Sequence, residues 1–412
     1  MRAFLWLLLS LVVSATTWLY VHRILIPWEH HVNVEIGTMK AELGDLYSPW
    51  VGARDLLLYK RNPYSPAVSH EIQMAFYGRI VTQTPAVSAQ DAVDEQRFAY
   101  PVYVVFLMAP TVNLPFAGVE AWAPVVLALL TSIGVLLWFE ITHWLPSWPT
   151  AAAVFLFVLS APPIVQGLRL RQLGLVVGFL LALAAWCVSK NWLGTAGILL
   201  ALSTIKPQMV ALPLVWFVCW AIGDSQKRWR LLAGFGATLA ALICAGELIL
   251  PGWLRDFFEG LRAYRQYAYR PPLLELALGN TLGEIFSAVV IVGILTFAWR
   301  HRKTTGHSQQ FPLVLAAFLI SSLLTMPLYP LFNQLLLILP VIIVLRDWDS
   351  LRPPARYAFI AILAWPSIIS LALLLLFSGR SYPSGLMPLL PAVAALILPF
   401  VLPLLLVSRH RT

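Results

Sequence analysis

Charge is what this chain has least of. Of its 412 residues only 11% are Asp, Glu, Lys or Arg, where a soluble domain carries about a quarter. That shortage excludes an ordinary water-soluble globular protein. Cysteine is nearly absent as well. Cys187, Cys219 and Cys244 are the only three; all sit inside apolar runs without CxxC spacing, which excludes a disulfide framework and leaves them as packing residues. Neither GxGxxG nor GxxxxGKS/T occurs, so the nucleotide-binding turns are missing. No cluster has metal-ligand spacing, and no metal site is expected. His30 and His31 beside Glu29 are adjacent and point apart on a helix or strand. Asp347-Trp348-Asp349 spells DxD without the nucleotide-binding domain that gives the motif meaning, and reads as a solvated turn. No soluble domain and no tandem repeat is discernible.

Apolar residues take the place of charge: 59% of the chain is hydrophobic and the mean hydropathy is +0.78. Runs at 3–26, 121–139, 231–250 and 357–377 are each long enough to cross roughly 30 Å of hydrocarbon as a helix. The chain is therefore an all-α polytopic membrane protein, read as one integral membrane domain over 1–412. The first run is too long for a cleaved signal peptide and reads as a retained span. The net charge of +9 does not point to nucleic acid. Its basic clusters, at Arg2, Lys227 to Arg230, Arg300 to Lys303, Arg346 to Arg356 and Arg409 to Arg411, mark the cytoplasmic side, and both termini fall there.

Residues 27–98 form a long extracytoplasmic loop, too polar to cross. Within it 46–60 and 68–80 have the pattern of amphipathic helices on the membrane surface, separated by Asn62-Pro63-Tyr64-Ser65-Pro66. Residues 82–96 read as an ordered loop or lid. Beyond it two topologies share the same end points. In the favoured one, 100–114 does not cross alone, and Gln172 and Lys206 lie at the outer face. In the other, 100–114 crosses, Gln172 faces inward and Lys206 is buried in mid-membrane. Each gives about 12 crossings of spanning length. A second extracytoplasmic loop, 252–280, keeps Arg255, Arg262, Arg265 and Arg270 against the positive-inside rule, as an anion-binding loop would.

Asp45 opens the predicted helix at 46–60, where it suits an N-cap. A carboxylate at the outer surface is also what a general base needs. Asp55 reads as a charge on a solvated helix face beside Arg54, Lys60 and Arg61. Lys206-Pro207 interrupts an apolar stretch, and an intramembrane lysine marks a functional site or a snorkelling side chain at a helix break. Arg169, Arg171 and Gln172 lie between two apolar runs. Their meaning follows the topology.

Asp45-Leu46-Tyr47, Gly52-Ala53-Arg54 and Asn62-Pro63-Tyr64, read in order, resemble the first outer loop of glycosyltransferase family 87. The resemblance continues at Phe98-Ala99-Tyr100-Pro101, Arg171-Gln172-Leu173-Gly174, Leu202 to Pro207 and Met326 to Tyr329, and so covers residues 5–345. It implies a GT-C-like bundle related to polyprenyl-phosphate-mannose-dependent mannosyltransferases. It also implies that Asp45 is the catalytic base, that the donor is a polyprenyl-phosphate sugar, and that the anomeric centre inverts in one displacement without metal or other cofactor. Two positions depart from the family. Arg171-Gln172-Leu173-Gly174 stands where Gly-Gln-x-Asn is frequent, and Tyr329, Asn333 and Gln334 stand where members acting on mannolipids carry His.

The reading is an inverting membrane glycosyltransferase of the cell envelope. It would move a hexose (mannose favoured) or a pentose to a lipid or glycan hydroxyl at the extracytoplasmic face. Lys206, Arg169, Arg171, Arg262, Arg265 and Arg270 are the candidates for the donor phosphate. Tyr47, Arg54, Tyr64, Tyr100, Gln172, Tyr329 and Asn333 are the candidates for substrate contact. The partners are the bilayer, the donor and the acceptor, with no nucleic acid. The alternative is a transporter or flippase of a lipid-linked or anionic substrate, against which stand the absent inverted repeat and polar residues crowded on one side.

Overall fold

The computed structural model describes residues 2–35, 43–81, 95–268, 271–327, 330–377 and 387–407. Among them every regular element is helical. In chain order the helices are α1 (Arg2–Tyr20), α2 (Ile26–Glu35), α3 (Tyr47–Tyr59), α4 (Pro66–Tyr77), α5 (Val104–Met108), α6 (Phe116–Ile141), α7 (Trp148–Ser160), α8 (Pro162–Arg169), α9 (Leu173–Ser189), α10 (Leu193–Ser203), α11 (Pro207–Ile222), α12 (Ser225–Ile249), α13 (Trp253–Ala268), α14 (Leu273–Leu278), α15 (Asn280–His301), α16 (Gln310–Thr325), α17 (Ile338–Arg346), α18 (Pro353–Phe377) and α19 (Val393–Val407). A π-helical turn, Val21–Leu25, joins α1 to α2, and a 3-10 helix, Leu331–Leu337, leads into α17.

Six helical stretches are long and apolar enough to cross a membrane, and a seventh is counted if α7 and α8 are one span bent by 57°. Pro162 and Pro163 cause that bend, since neither brings an amide hydrogen to the helix ladder. Helices α9, α10, α11, α16 and the 331–346 segment are shorter but equally apolar. Such lengths work where helices are wrapped by others, and α16 is buried on almost every side.

The polar elements gather at one end. Helix α13, in the 252–280 loop, meets the first loop there: Asn62 Nδ2 donates to Asp256 at 2.7 Å. Segment 100–114 folds into the five-residue α5 and a 3-10 turn. Five residues span about 8 Å, too little to cross. Helix α4 has the expected single buried face, through Val68, Ile72 and Phe76. Helix α3 departs from expectation: Trp50, Val51, Ala53, Asp55 and Leu56 are all buried. It is enclosed by α4, α5 and α6 rather than lying on lipid, because its small Gly52 and Ala53 admit neighbours on the face that should have been exposed. A Cβ on Gly52 would fall 2.3 Å from the Phe98 ring.

The opposite end is fastened by Arg228. Its guanidinium donates to the carbonyls of Trp220 (2.7 Å), Arg302 (2.8 Å) and Thr304 (2.8 Å) and lies over the Trp220 ring. Between the two ends α10 and α12 touch backbone to backbone. A Cβ on Gly197 would stand 2.2 Å from the Leu231 carbonyl, and one on Gly234 2.4 Å from that of Gly194. Nearer the polar end a Cβ on Gly246 of α12 would stand 2.7 Å from the Val102 side chain and 2.8 Å from the Trp253 indole nitrogen.

Candidate active site

Four helix junctions converge at the polar end: the turn before α3, the α8–α9 turn, the α10–α11 turn and the 3-10 helix at 331–337. The first carries Asp45. Gly44 precedes it with φ +66°, and a Cβ there would lie 2.9 Å from the Leu170 carbonyl and 3.1 Å from Arg171 Nη1. The absence of a side chain lets this turn lie directly on the α8–α9 turn. The Asp45 amide donates to the Leu170 carbonyl at 2.8 Å. The N-cap position of α3 belongs to Leu46, with no side-chain cap.

Lys206 occupies the α10–α11 junction. Pro207 fits the first turn of α11, where no amide hydrogen is needed. Lys206 is 7% exposed, and its ammonium donates to Gln172 Oε1 across the site. It lies 5.2 Å from the centre of the Phe332 ring and 5.9 Å from that of Tyr100, within the reach of cation–π attraction. Asp45 is the carboxylate whose charge acts on it. The Tyr103 hydroxyl, 2.9 Å from Thr204 Oγ1, fixes the same junction from the α5 side. Asp45, Gln172, Lys206 and Tyr100 are thus brought together.

The remaining candidates are distributed around them. Arg169 pairs with Glu29 at 2.5 Å and Arg171 with Glu120 at 2.8 Å. Both guanidiniums border the site with a carboxylate already beside them. Arg54 pairs with Glu71 at 2.5 Å and covers the Trp50 ring, which makes it part of the α3–α4 contact. The Tyr47 ring packs against Trp50, Phe76 and Phe116. Tyr64 donates to the Tyr100 carbonyl at 2.7 Å, and burial raises the pKa of its hydroxyl. Asn333 is buried in the 3-10 helix and Arg262 is exposed on α13. The Arg265 side chain, Arg270, Tyr329 and most of the 82–96 segment lie outside the described residues. The contacts missed from sequence are Phe332, the Leu170 carbonyl and the Tyr103–Thr204 bond. An apolar ring and a main-chain oxygen carry no signature that a sequence pattern could expose.

A carboxylate and a buried lysine held at the junctions of broken apolar helices define a polytopic membrane protein with one polar working end. The family model for glycosyltransferase family 87 matches residues 98–329, over half of the chain, and the chain belongs to that family. It is a membrane glycosyltransferase. The matched region contains Gln172 and Lys206 and begins beyond Asp45. Among curated proteins no match is found.

Proposed function

We propose that the protein transfers a sugar from a polyprenyl phosphate to a hydroxyl of a lipid or glycan acceptor at the extracytoplasmic face, with inversion. The donor sugar is a hexose, mannose favoured, or a pentose, and the bundle is of the GT-C type. The acceptor oxygen attacks C1 and its proton passes to Asp45. The C1–O bond to the phosphate breaks, and polyprenyl phosphate leaves with the bonding pair. Lys206 faces that developing charge, where a fixed cation in a dry site counts for most. Arg169 and Arg171, each already beside a carboxylate, flank it. Gln172 holds the lysine and Tyr100 offers a ring to the sugar.

One observation carries this reading. The turn bearing Asp45 is hydrogen-bonded to the turn that precedes Gln172, and Gln172 binds Lys206. A carboxylate and a buried cation are therefore adjacent and mutually fixed, which supports reading them as base and phosphate partner. The test is sugar transfer from labelled polyprenyl-phosphate hexoses by wild type and Asp45→Asn. Loss of a proton acceptor is expected to lower transfer by about 10²–10⁴-fold while donor binding persists. Undiminished transfer by Asp45→Asn would remove Asp45 as base. Donor movement across the bilayer without transfer would favour the flippase.

A further inference from the structure

Helix α8 and the turn after it hold the site at three points. The Leu170 carbonyl accepts from the Asp45 amide at 2.8 Å, and the Gly167 carbonyl accepts from the Gln172 amide at 2.8 Å. The third point is made by a side chain: Gln166 Oε1 accepts from the Phe332 amide at 3.2 Å. That amide needs an acceptor from outside its own helix. In the 3-10 helix at 331–337 the Asn333 amide donates to the Pro330 carbonyl at 3.0 Å. Phe332, one residue earlier, belongs to the first turn, whose amides every helix leaves to other acceptors. An amide can only donate, so the Gln166 carboxamide must present its oxygen.

The Phe332 ring is what this bond sets in place. Lys206 brings three donors, and among the described residues its ammonium has one hydrogen-bond acceptor, Gln172 Oε1. Two ring faces add to that bond and to the charge of Asp45: Phe332 at 5.2 Å and Tyr100 at 5.9 Å. Ring faces hold a buried ammonium only while they stay in position, because the attraction is lost beyond about 6 Å. Tyr100 has an anchor of its own, since its carbonyl accepts from the Tyr64 hydroxyl at 2.7 Å. The corresponding anchor of Phe332 is Gln166.

We infer that Gln166 is a positioning residue for Lys206. Its carboxamide holds the Phe332 main chain, and through it the ring face that keeps the ammonium in the site. Any effect on transfer rests on the reading of Lys206 as the phosphate partner; the positioning itself does not.

The test is NMR on the full chain in lipid nanodiscs, with 13C at the ε carbons of its six lysines. The Lys206 ε-methylene signal, assigned by its loss in Lys206→Met, is expected upfield of the other five, because it lies beside two ring faces. Gln166→Leu keeps the bulk, removes the acceptor, and is expected to return the signal toward the others. Gln166→Asn, polar but one methylene too short to reach the Phe332 amide, is expected to do the same and serves if Gln166→Leu does not fold. Phe332→Leu keeps the main-chain bond, removes the ring, and is expected to match them. A Lys206 signal among the other five in wild type would overturn the inference. So would a displaced signal that stays in place in a folded Gln166→Leu or Gln166→Asn. In the transfer assay the Gln166 variants are expected to lower kcat/KM for the donor about tenfold, the scale of one desolvated cation–π contact. A signal that moves while transfer is unchanged would support the positioning and count against Lys206 as the phosphate partner.

Discussion

Gly44 has no chemistry of its own, yet it sets where Asp45 stands. Its φ of +66° and the 2.9 Å approach to the Leu170 carbonyl leave no room for a side chain. Gly44→Ala is expected to cost about 1–2 kcal/mol from the left-handed conformation. By shifting Asp45 about 1 Å it is expected to lower transfer on the order of 10²-fold. A melting curve and a transfer assay on the same preparation separate the two effects. Asp45 and Lys206 could be singled out in the sequence because charge inside or beside an apolar run is rare and has to be accounted for. Gly44 could not, because its role lies in a main-chain approach to Leu170, 126 positions away. Arg169 and Arg171 were legible as cations. Their carboxylates, Glu29 and Glu120, come from distant helices, and nothing local foretold the pairing.

At the scale of elements, α3 and α4 meet through a charged cluster of Arg54, Asp55, Arg61 and Glu71. The Asp55 side chain is fully buried, with Arg61 as a partner at 3.5 Å and one oxygen unmet. Burial raises its pKa above 3.8, Glu71 adds to the rise, and Arg61 and Arg54 oppose it. Because the folded value lies above the unfolded one, Asp55 stabilises the contact fully below that ordinary value. The contribution is lost as pH rises through the folded pKa. Wild type is therefore expected to lose melting temperature across this rise, and Asp55→Asn to flatten the profile and melt higher at neutral pH. A lower melting point for Asp55→Asn at every pH would show that the Arg61 pair outweighs burial. The two helices themselves were readable from apolar spacing and the proline break. The burial of α3 was not, since apolar periodicity reports that a face is covered without saying how many neighbours cover the rest.

For the whole molecule, the sequence announced apolar passes joined at a polar end, and hydropathy suffices for that because lipid leaves the backbone little choice. What it left open was the path from residue 100 to 206. The five-residue α5 and the Lys206–Gln172 bond favour the topology in which both residues share the end of the long first loop. Single cysteines at Lys60 and Arg262, both exposed at that end, are expected to react with an impermeant thiol reagent in intact cells. Cysteines at Lys303 and Arg352, exposed at the opposite end, are expected to react only after lysis. Reaction of Lys60→Cys and Arg262→Cys from opposite sides would break the fold's arrangement as described. The three native cysteines are removed first; only Cys244 is exposed.

Helix α12 meets the protein over little of its surface, with 6% of its most apolar stretch buried. It is held by the Arg228 bonds at one end and by the glycine approaches at Gly234 and Gly246. In mechanical terms it is a beam on three supports. A free helix answers a change in bilayer thickness by tilting. A beam held at several points bows between them, and the load passes to the supports. One support is the α10 backbone, whose far end is the Lys206 turn. Another is Trp253, whose ring stands 5.8 Å from that of Tyr103. The thickness of the surrounding lipid is thereby a force applied at the polar end.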